Sequence, residues 1–488
     1  MASTTDPAAA PVEDVPTTED KYQFSLPVDD VGKAKVLRIF SIRRPHMRAF
    51  HFAWFSFFLA FFGWFALAPL QKGIRDAGFI DGLTNGSRFK TQNIIAVLGT
   101  IIMRLAVGPF CDRFGPRTAQ SLLLSIFSLP VFLVATATKY WQWTTARFFI
   151  GFIGAAFVVT QFWTSIMFSS NIVATANATS GGWGNLGGGV TNALMPLVKK
   201  GMTKAAGGNE NRGWRLSMIF PGIALVATSI AMFFLSDDLP QGNYADLLKE
   251  GKKKKTNPFK AMGKAATNWR VWILFLLYAA CFGIELVMNG NLATYFSDDK
   301  IEAFGLDEST AGLIAGLFGL MNFFARSVGG ILSDVMAHKF GMRGRLWAFF
   351  FVQLCEGIMF VVFSRIRVLG GAIPALIGFS LFVQMAEGCT FGVVPFVDPP
   401  ITGAIAGIVG AGGNFGAVIG NLFLAPKKVR GISNGFRTLG FIVIGSAFLI
   451  PLLHFPQYGS MFLKPKQQKI VEDIADEVAE EEAAAASQ

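Results

Sequence analysis

Long apolar runs separated by short polar segments make up most of the chain. A run of about 20 apolar residues is long enough to cross the hydrocarbon core of a membrane as an α-helix. Six such runs precede a polar segment with the letters KEGKKKK, and six follow it. The runs are residues 48–70, 92–111, 119–138, 144–168, 175–198, 216–235, 271–295, 310–332, 346–363, 370–394, 402–424 and 436–453. This pattern predicts an all-α membrane protein with twelve transmembrane helices in two pseudo-symmetric six-helix halves.

The polar segments divide the chain and indicate its orientation. The parts are an N-terminal segment (1–47), a first helical half (48–235), a basic linker (236–270), a second helical half (271–454) and an acidic tail (455–488). Because lysine and arginine are concentrated in the N-terminal flank and the linker, the positive-inside rule predicts that both termini are cytoplasmic. Four lysines in predicted external loops oppose this bias: Lys199, Lys200, Lys427 and Lys428. We expect the two ends of the chain to be unstructured or only partly helical.

Composition excludes several classes of protein. Hydrophobic residues make up 52% of the 488 residues, charged residues only 15%, and the mean hydropathy is +0.46, which excludes an ordinary soluble protein. The net charge of +11 does not indicate nucleic-acid binding, because the basic residues cluster between apolar runs. The sequence has no Ser-His-Asp set, no His/Cys cluster with metal-ligand spacing and no phosphate loop. We therefore expect no enzyme activity, no metal ion and no cofactor.

Two arginines lie inside apolar, glycine-rich runs and have similar neighbours. The letters RLAVGPFCD begin at Arg104, and the letters RSVGGILSD begin at Arg326. A guanidinium at the centre of a membrane costs roughly 2.5–3.5 kcal/mol on insertion scales, so intramembrane arginines generally mark functional sites. Their matching places in two halves predict an anion-binding site. The alternative is that each arginine simply pairs with a buried acid.

A second repeat supports an internal duplication. The letters WGNLGGGVTN in the fifth span match GGNFGAVIGN in the eleventh at a constant offset. The match aligns Gly184 with Gly413 and Asn185 with Asn414. In transporters built from two repeats, the substrate site lies near the middle of the membrane between the repeats.

The letters GPFCDRFGPR resemble the loop between the second and third spans in the major facilitator superfamily. Asp112, Arg113 and Arg117 fill the charged positions of that motif, and Asp334 begins a degenerate copy in the second half. Acidic and basic groups at this place can hold one conformation closed, so we expect a role in gating. Arg147 in the fourth span resembles another element of the superfamily, and we assign it to the same role.

The glycine-asparagine repeat and the letters FARSVGGILSD narrow the resemblance to the nitrate/nitrite porter family, and in particular to plant high-affinity nitrate transporters. The resemblance implies the major facilitator fold and high-affinity nitrate uptake across the plasma membrane by proton-coupled symport with alternating access. It also implies a partner, a small single-pass membrane protein that is needed for activity. Nitrate and protons would be the transported species.

The residue types at the two repeats suit a planar monovalent anion. A guanidinium is itself planar and presents paired donors, so Arg104 and Arg326 could hold one nitrate from opposite halves. Asn185 and Asn414 could donate amide hydrogens, or orient the guanidinia. The aligned glycines would allow the helices to approach closely: Gly184 and Gly413.

Further site residues follow from the seventh and tenth spans. In the family a tyrosine and a phenylalanine of the seventh span help to enclose the anion, and Tyr278 and Phe282 lie on one helical face. A proton carrier requires a buried carboxyl group whose protonation changes during the cycle. Glu285 is the first candidate and Glu387 the second, although either acid could be a fixed counter-ion to an arginine.

Two other functions agree with paired arginines. One is an antiporter of organic phosphate or another anion within the same superfamily, for which phosphate esters rather than nitrate would compete. The other is a nonconducting nutrient receptor, which would bind its ligand without flux.

Overall fold

Helices account for nearly all of the architecture in this computed structural model, which describes residues 24–84, 86–250, 257–297, 304–306, 308–424 and 431–464. The lysine run of the linker, most of the acidic tail, Lys427 and Lys428 lie outside these residues. Twelve long helices follow one another along the chain. They are α1 (His46–Phe65), α2 (Gly86–Phe114), α3 (Pro116–Leu133), α4 (Tyr140–Met167), α5 (Val173–Ala205), α6 (Ile219–Leu235), α7 (Trp269–Ser297), α8 (310–340), α9 (342–365), α10 (Leu369–Val393), α11 (Thr402–Leu422) and α12 (Gly431–Ala447).

Ten segments of the described chain are long and apolar enough to cross a membrane, and two structural facts relate them to the twelve predicted spans. One segment, Thr310–Arg365, has 56 residues, or about 84 Å of helix, which greatly exceeds the thickness of one membrane. Gly341 divides it into α8 and α9 with a φ of 61°. The glycine-rich α5 is not among the ten, although its 33 residues are long enough to span. The described helices therefore agree with the predicted arrangement of six spans in each half.

The turn between the second and third helices of each half is built on a left-handed glycine. Gly115 has a φ of 86° between α2 and α3, and Gly341 occupies the same place between α8 and α9. Only glycine adopts this conformation without steric cost. The duplication detected in the sequence thus extends to the turn glycines.

The halves meet along two equivalent pairs of helices, α2 with α11 and α5 with α8. Glycines permit both contacts. A Cβ atom on Gly108 would lie 2.3 Å from the carbonyl oxygen of Gly403, and one on Gly330 would lie 2.4 Å from that of Ala174. Because such distances are shorter than any real Cβ contact, these positions require glycine for the helices to approach this closely.

One end of the bundle carries both described ends of the chain and is called the terminal face here. Residues 24–45 pack against it, contrary to the expectation of an unstructured segment. The main chain of Ala34 donates to the carbonyl of Met167 and accepts from Ser169, both at 3.0 Å, and Lys33 Nζ donates to the carbonyl of Ser165. Burial lowers the pKa of Lys33, and Asp29 opposes that effect.

Shorter elements connect the long helices. The linker contains the helices Tyr244–Lys249 and Pro258–Thr267, and the opposite face carries Gln71–Asp76 and Glu210–Ser217. Outside the long helices, 3₁₀ turns occupy Ala68–Leu70, Val134–Thr136, Val394–Phe396, Pro399–Ile401 and Ile450–Leu452. Two more, Phe152–Ala155 and Met321–Phe323, lie within α4 and α8. Two antiparallel two-residue strands, His454–Phe455 and Gly459–Ser460, lie at the terminal face where the prediction places the start of an acidic tail.

Candidate anion-binding site

Arg104 lies on α2 at the interface between the halves and is fully buried. Its Nη1 donates to the carbonyl oxygen of Gly410 on α11 at 2.5 Å. Its Nε and Nη2 donate to the carbonyl oxygen of Gly154 at 3.3 and 3.2 Å. Among the described residues, no acidic side chain pairs with Arg104. Its positive charge is therefore not balanced by an acid among the described residues, and the interface holds a cation that an anion could neutralise.

Arg326 lies on α8 and is equally buried, but its surroundings differ. Its Nη1 forms an ion pair with Glu387 of α10, and its Nη2 donates to the hydroxyl of Tyr278 on α7 at 3.2 Å. Within the described chain its Nε has no partner. The acid-pairing alternative considered from the sequence thus holds for Arg326 and not for Arg104. The two repeated arginines therefore differ: Glu387 balances the charge of Arg326, and no acid among the described residues balances that of Arg104.

Aromatic rings lie beside the two guanidinia. The ring of Phe157 on α4 lies 5.1 Å from the Cζ of Arg104 and 5.3 Å from that of Arg326. Tyr278 and Phe282 lie nearly parallel to it, at centroid distances of 5.7 and 6.1 Å. Cations over aromatic faces are attracted by the ring quadrupole. The three rings are stacked nearly parallel to one another beside the two cations, and a planar anion suits the face of such a ring.

Phe157 was not predicted from the sequence. It is one of 50 phenylalanines and has apolar neighbours on both sides, so its letters carry no distinguishing signal. Its importance comes from its position between two arginines that are 222 positions apart in the chain.

Asn185 and Asn414 are buried amides with unusual surroundings. Neither the oxygen nor the nitrogen of either side chain has a hydrogen-bond partner in the described structure. Asn414 lies one helical turn after Gly410, which binds Arg104. Asn185 lies one turn after Gly181, where a Cβ would be 2.9 Å from the Nε of Arg326. Because buried polar groups are normally hydrogen-bonded, two free amides beside the two arginines indicate a place for a ligand.

The predicted site glycines pack against aromatic rings. A Cβ atom on Gly184 would lie 1.8 Å from the ring of Phe57, and one on Gly413 would lie 2.4 Å from the ring of Phe282. They act by letting rings approach the helices that carry the two asparagines.

Alanine at Gly184 is expected to destabilise the protein by about 1–3 kcal/mol, because the ring of Phe57 must move to admit the methyl group. The thermal unfolding midpoint of the purified protein in detergent measures this loss. Gly189→Ala on the same helix is the matched control, since a Cβ there meets nothing within 4 Å. Equal midpoints for the two variants would contradict the packing role.

The two carboxyl groups predicted as proton carriers lie together. Glu285 accepts a hydrogen bond from the amide of Asn322 at 2.6 Å, and its carboxyl group faces that of Glu387. Each acid keeps one oxygen without a donor among the described groups. One cation, Arg326, therefore lies beside two acids. Two carboxylates this close cannot both be charged cheaply, so the pair favours holding one proton between them.

The aspartates of the repeated motifs cross from one half to the other. Asp112 accepts from the main-chain nitrogens of Gly403 and Ala404 at the start of α11, at 3.0 and 2.9 Å. Asp334 accepts from those of Ala174 and Thr175 at the start of α5, at 3.3 and 2.6 Å. A carboxylate at a helix N-terminus satisfies free N–H groups and complements the helix dipole. Each half thus caps a helix of the other, and the terminal face is closed.

A further arginine, which was not predicted from the sequence, takes part in closing the terminal face. Arg345 on α9 donates to Asp334 at 2.8 Å and to the carbonyl of Ser170 at 3.2 Å. Arg343, which follows the turn glycine Gly341 as Arg117 follows Gly115, instead donates to the carbonyl of Phe462. The inserted residues in the second copy hid this shift of two positions.

The other predicted gating residues have different surroundings. Arg113 lies over the ring of Phe114, and Arg117 lies 3.7 Å from Asp238. Burial raises the pKa of Asp238 to about 6, and the Arg117 guanidinium opposes that rise. Arg147 donates to Asn93 on α2, far along α4 from the terminal face. The structure does not bring Arg147 together with the two aspartates.

Comparison with known proteins agrees with this arrangement. Residues 53–421 match the model of the Major Facilitator Superfamily. Over 94% of its length the chain is 40% identical to the high affinity nitrate transporter 2.5 of Arabidopsis thaliana, covering 89% of that protein. The chain belongs to the high-affinity nitrate transporters of the Major Facilitator Superfamily. It is therefore a multi-pass membrane transporter and not an enzyme, as the sequence predicts.

Other members of this transporter family and two solved structures extend the comparison. The chain is 39% identical to the high-affinity nitrate transporter 2.3 of Oryza sativa subsp. japonica, over 96% of this chain and 89% of that one. The human organic anion transporter MFSD10 matches with a TM-score of 0.61 at 13% identity, covering 84% of this chain and 100% of that one. The proton:xylose symporter XylE matches with a TM-score of 0.58 at 12% identity, over 82% and 94%. At these identities the two structures establish the shared fold alone.

Proposed function

We propose that this chain takes up nitrate with high affinity across the plasma membrane by proton-coupled symport with alternating access. The observation that carries the proposal is the pair of buried guanidinia, Arg104 and Arg326, beside the two unpartnered amides of Asn185 and Asn414. Together they offer charge and hydrogen-bond donors around one place between the halves. Tyr278, Phe282 and Phe157 supply parallel aromatic rings beside which a planar anion can lie.

The charge of the site favours a monovalent anion. Arg104 contributes one positive charge, while that of Arg326 is balanced by Glu387. One nitrate would therefore neutralise the site. An organic phosphate carries more charge and bulk, and it would require Arg326 to be free of its acid. This charge balance supports nitrate over the organic-phosphate antiporter.

The same ion pair suggests how protons are coupled to nitrate. A proton arriving on Glu387 or Glu285 would weaken the hold of the acid pair on Arg326, which could then bind nitrate oxygens in place of the carboxylate. Proton and nitrate binding would assist one another through this exchange, and by linkage each would raise the affinity for the other. Moving one negative charge inward against the membrane potential costs roughly 2.3 kcal/mol per 100 mV. One proton per nitrate would cancel this cost, and more than one, as the family resemblance implies, would let the membrane potential drive uptake.

The proposed orientation places the terminal face in the cytoplasm, with both termini there. The crossed caps of Asp112 and Asp334 would then keep the cytoplasmic entrance shut, and rocking of the halves would open it. The basic N-terminal flank supports this assignment. The proposal includes a small single-pass membrane partner, which the family resemblance implies.

Labelled nitrate uptake and membrane current, measured together in oocytes with and without the partner, test the proposal. We expect saturable uptake that is faster at acidic than at neutral external pH and that is accompanied by inward positive current. An unlabelled phosphate ester is the control competitor and should leave uptake unchanged. Binding without flux would instead support the nonconducting receptor, and inhibition by the ester would support the phosphate antiporter.

A further inference from the structure

A third acid, Glu356 on α9, lies inside the second half and takes no part in the site described above. Its side chain is fully buried, and neither carboxyl oxygen has a hydrogen-bond partner within the described residues. A buried carboxylate without donors or a paired cation is very unfavourable, whereas the neutral acid avoids most of that cost. The position of Glu356 is thus one that suits a carboxyl group carrying a proton.

The groups around Glu356 connect it to the acid pair. Glu387 from α10 and Cys281 from α7 are the titratable groups that face it. Cys281 lies 3.9 Å from the hydroxyl of Thr390, one helical turn after Ala386, the neighbour of Glu387. Glu356 is therefore close enough to Glu387 to respond to its charge.

A second polar connection runs from Glu356 towards the outside of the bundle. Gln353 lies one helical turn earlier on the same face of α9, and its amide donates to the hydroxyl of Ser446 on α12 at 3.4 Å. Gly440 and Ile444 of α12 pack on Gly357, the residue after Glu356. Ser446 is half-buried near the end of α12 that leads to the terminal face. Polar side chains thus extend from the acid pair past Glu356 towards that face.

We propose that Glu356 is a second proton-binding site, so that each transport cycle carries one proton on the Glu285–Glu387 pair and another on Glu356. The inference rests on the proposed proton-coupled uptake of nitrate. Each proton is taken from water on one side of the membrane, forms an O–H bond to a carboxyl oxygen, and is returned to water on the other side. With one nitrate, two protons give a net movement of one positive charge inward.

The charge moved per nitrate tests this assignment. Current and labelled nitrate uptake are recorded in the same voltage-clamped cells for the parent, for Glu356→Gln and for Glu356→Asp. We expect about one positive charge per nitrate in the parent and in Glu356→Asp, and a value near zero in Glu356→Gln while labelled nitrate still enters. Glu210→Gln is the matched control, because it makes the same chemical change at an exposed acid on the opposite face and should keep the parent ratio.

An unchanged charge ratio in Glu356→Gln would overturn the assignment while leaving proton-coupled uptake intact. A parent protein that moves nitrate without positive charge would overturn the proposed function and this inference together. If Glu356→Gln fails to reach the membrane, infrared spectroscopy of the parent and Glu356→Asp decides the matter. A protonated-carboxyl carbonyl band that titrates in the parent and shifts in Glu356→Asp supports the assignment, and its absence contradicts it.

Discussion

Lysine in place of Arg104 or of Arg326 is expected to abolish high-affinity nitrate uptake, with a rise in KM of about 10- to 100-fold. A hydrogen bond to a charged group contributes about 1.5–3 kcal/mol, and lysine loses at least one such bond together with the planar fork. At Arg104 a single ammonium cannot reproduce three bonds to the carbonyl oxygens of Gly154 and Gly410. The measurement is the concentration dependence of labelled nitrate uptake at matched amounts of protein in the membrane.

The two lysine variants should also differ from each other in how their remaining nitrate uptake depends on external pH. Arg326→Lys also disturbs the pairing with Glu387, so its residual uptake should lose part of its dependence on external pH. Arg104→Lys should keep that dependence, because no acid pairs with Arg104 in the described structure. Arg212→Lys is the control, since Arg212 is exposed on the face opposite the terminal face and belongs to neither the site nor the gate. High-affinity uptake that survives in both site variants would rule out the two-arginine grip.

Asparagine at Asp112 or Asp334 is expected to weaken the closure of the terminal face and to slow uptake by about tenfold. Loss of a helix cap costs about 0.5–2 kcal/mol, and this amount shifts an open–closed equilibrium by up to about 30-fold. Two native thiols report the shift, because Cys111 adjoins Asp112, and Cys389 donates to the carbonyl of Gly329, five residues before Asp334 on α8. Both cysteines are buried, so faster maleimide labelling measures opening.

The controls for the gate separate opening from general destabilisation. Asp246→Asn makes the same change at an exposed acid of the linker and should leave labelling unchanged. The thermal unfolding midpoint of each variant should stay close to that of the parent. Labelling of Cys111 at the parent rate in Asp112→Asn would show that the cap does not hold the face shut.

Much of the fold could be predicted from the sequence because membrane helices are recognised by their length and hydropathy. The exception is α5, whose glycines and polar residues lower its hydropathy below that of the other helices. The run 175–198 predicts this helix, and the repeat that contains Asn185 matches it to α11. The same glycines that hide α5 from a hydropathy criterion let it pack closely on α1 and α8.

Site residues that belong to the internal repeat could be predicted from the sequence, whereas some site residues outside the repeat could not. Arg104 and Arg326 could be found because the sequences around them are similar. Phe157 and Arg345 have no such marker, and their roles depend on contacts between helices that are distant in sequence. The acid that pairs with Arg326 could not be chosen by periodicity, since Glu285 and Glu387 both lie on apolar helices of the second half.

The order in residues 24–45 also depends on distant partners. Polar composition alone suggests a disordered segment, yet Ala34 completes the main-chain bonds of the loop that joins α4 to α5. That loop also receives Arg345 through the carbonyl of Ser170. The N-terminal segment and the second half therefore hold the same short loop from two sides.

The crossed aspartate caps bear on what the duplication made possible. Two identical six-helix chains associating around a twofold axis would satisfy both caps at once, since each would give one aspartate and receive one. Joining the halves in a single chain preserves this reciprocity and removes the requirement that the two central arginines be equivalent. One arginine can then be bound to carbonyl groups while the other is paired with an acid. Under the proposed coupling, this asymmetry between the arginines lets a symmetric scaffold bind two different ions.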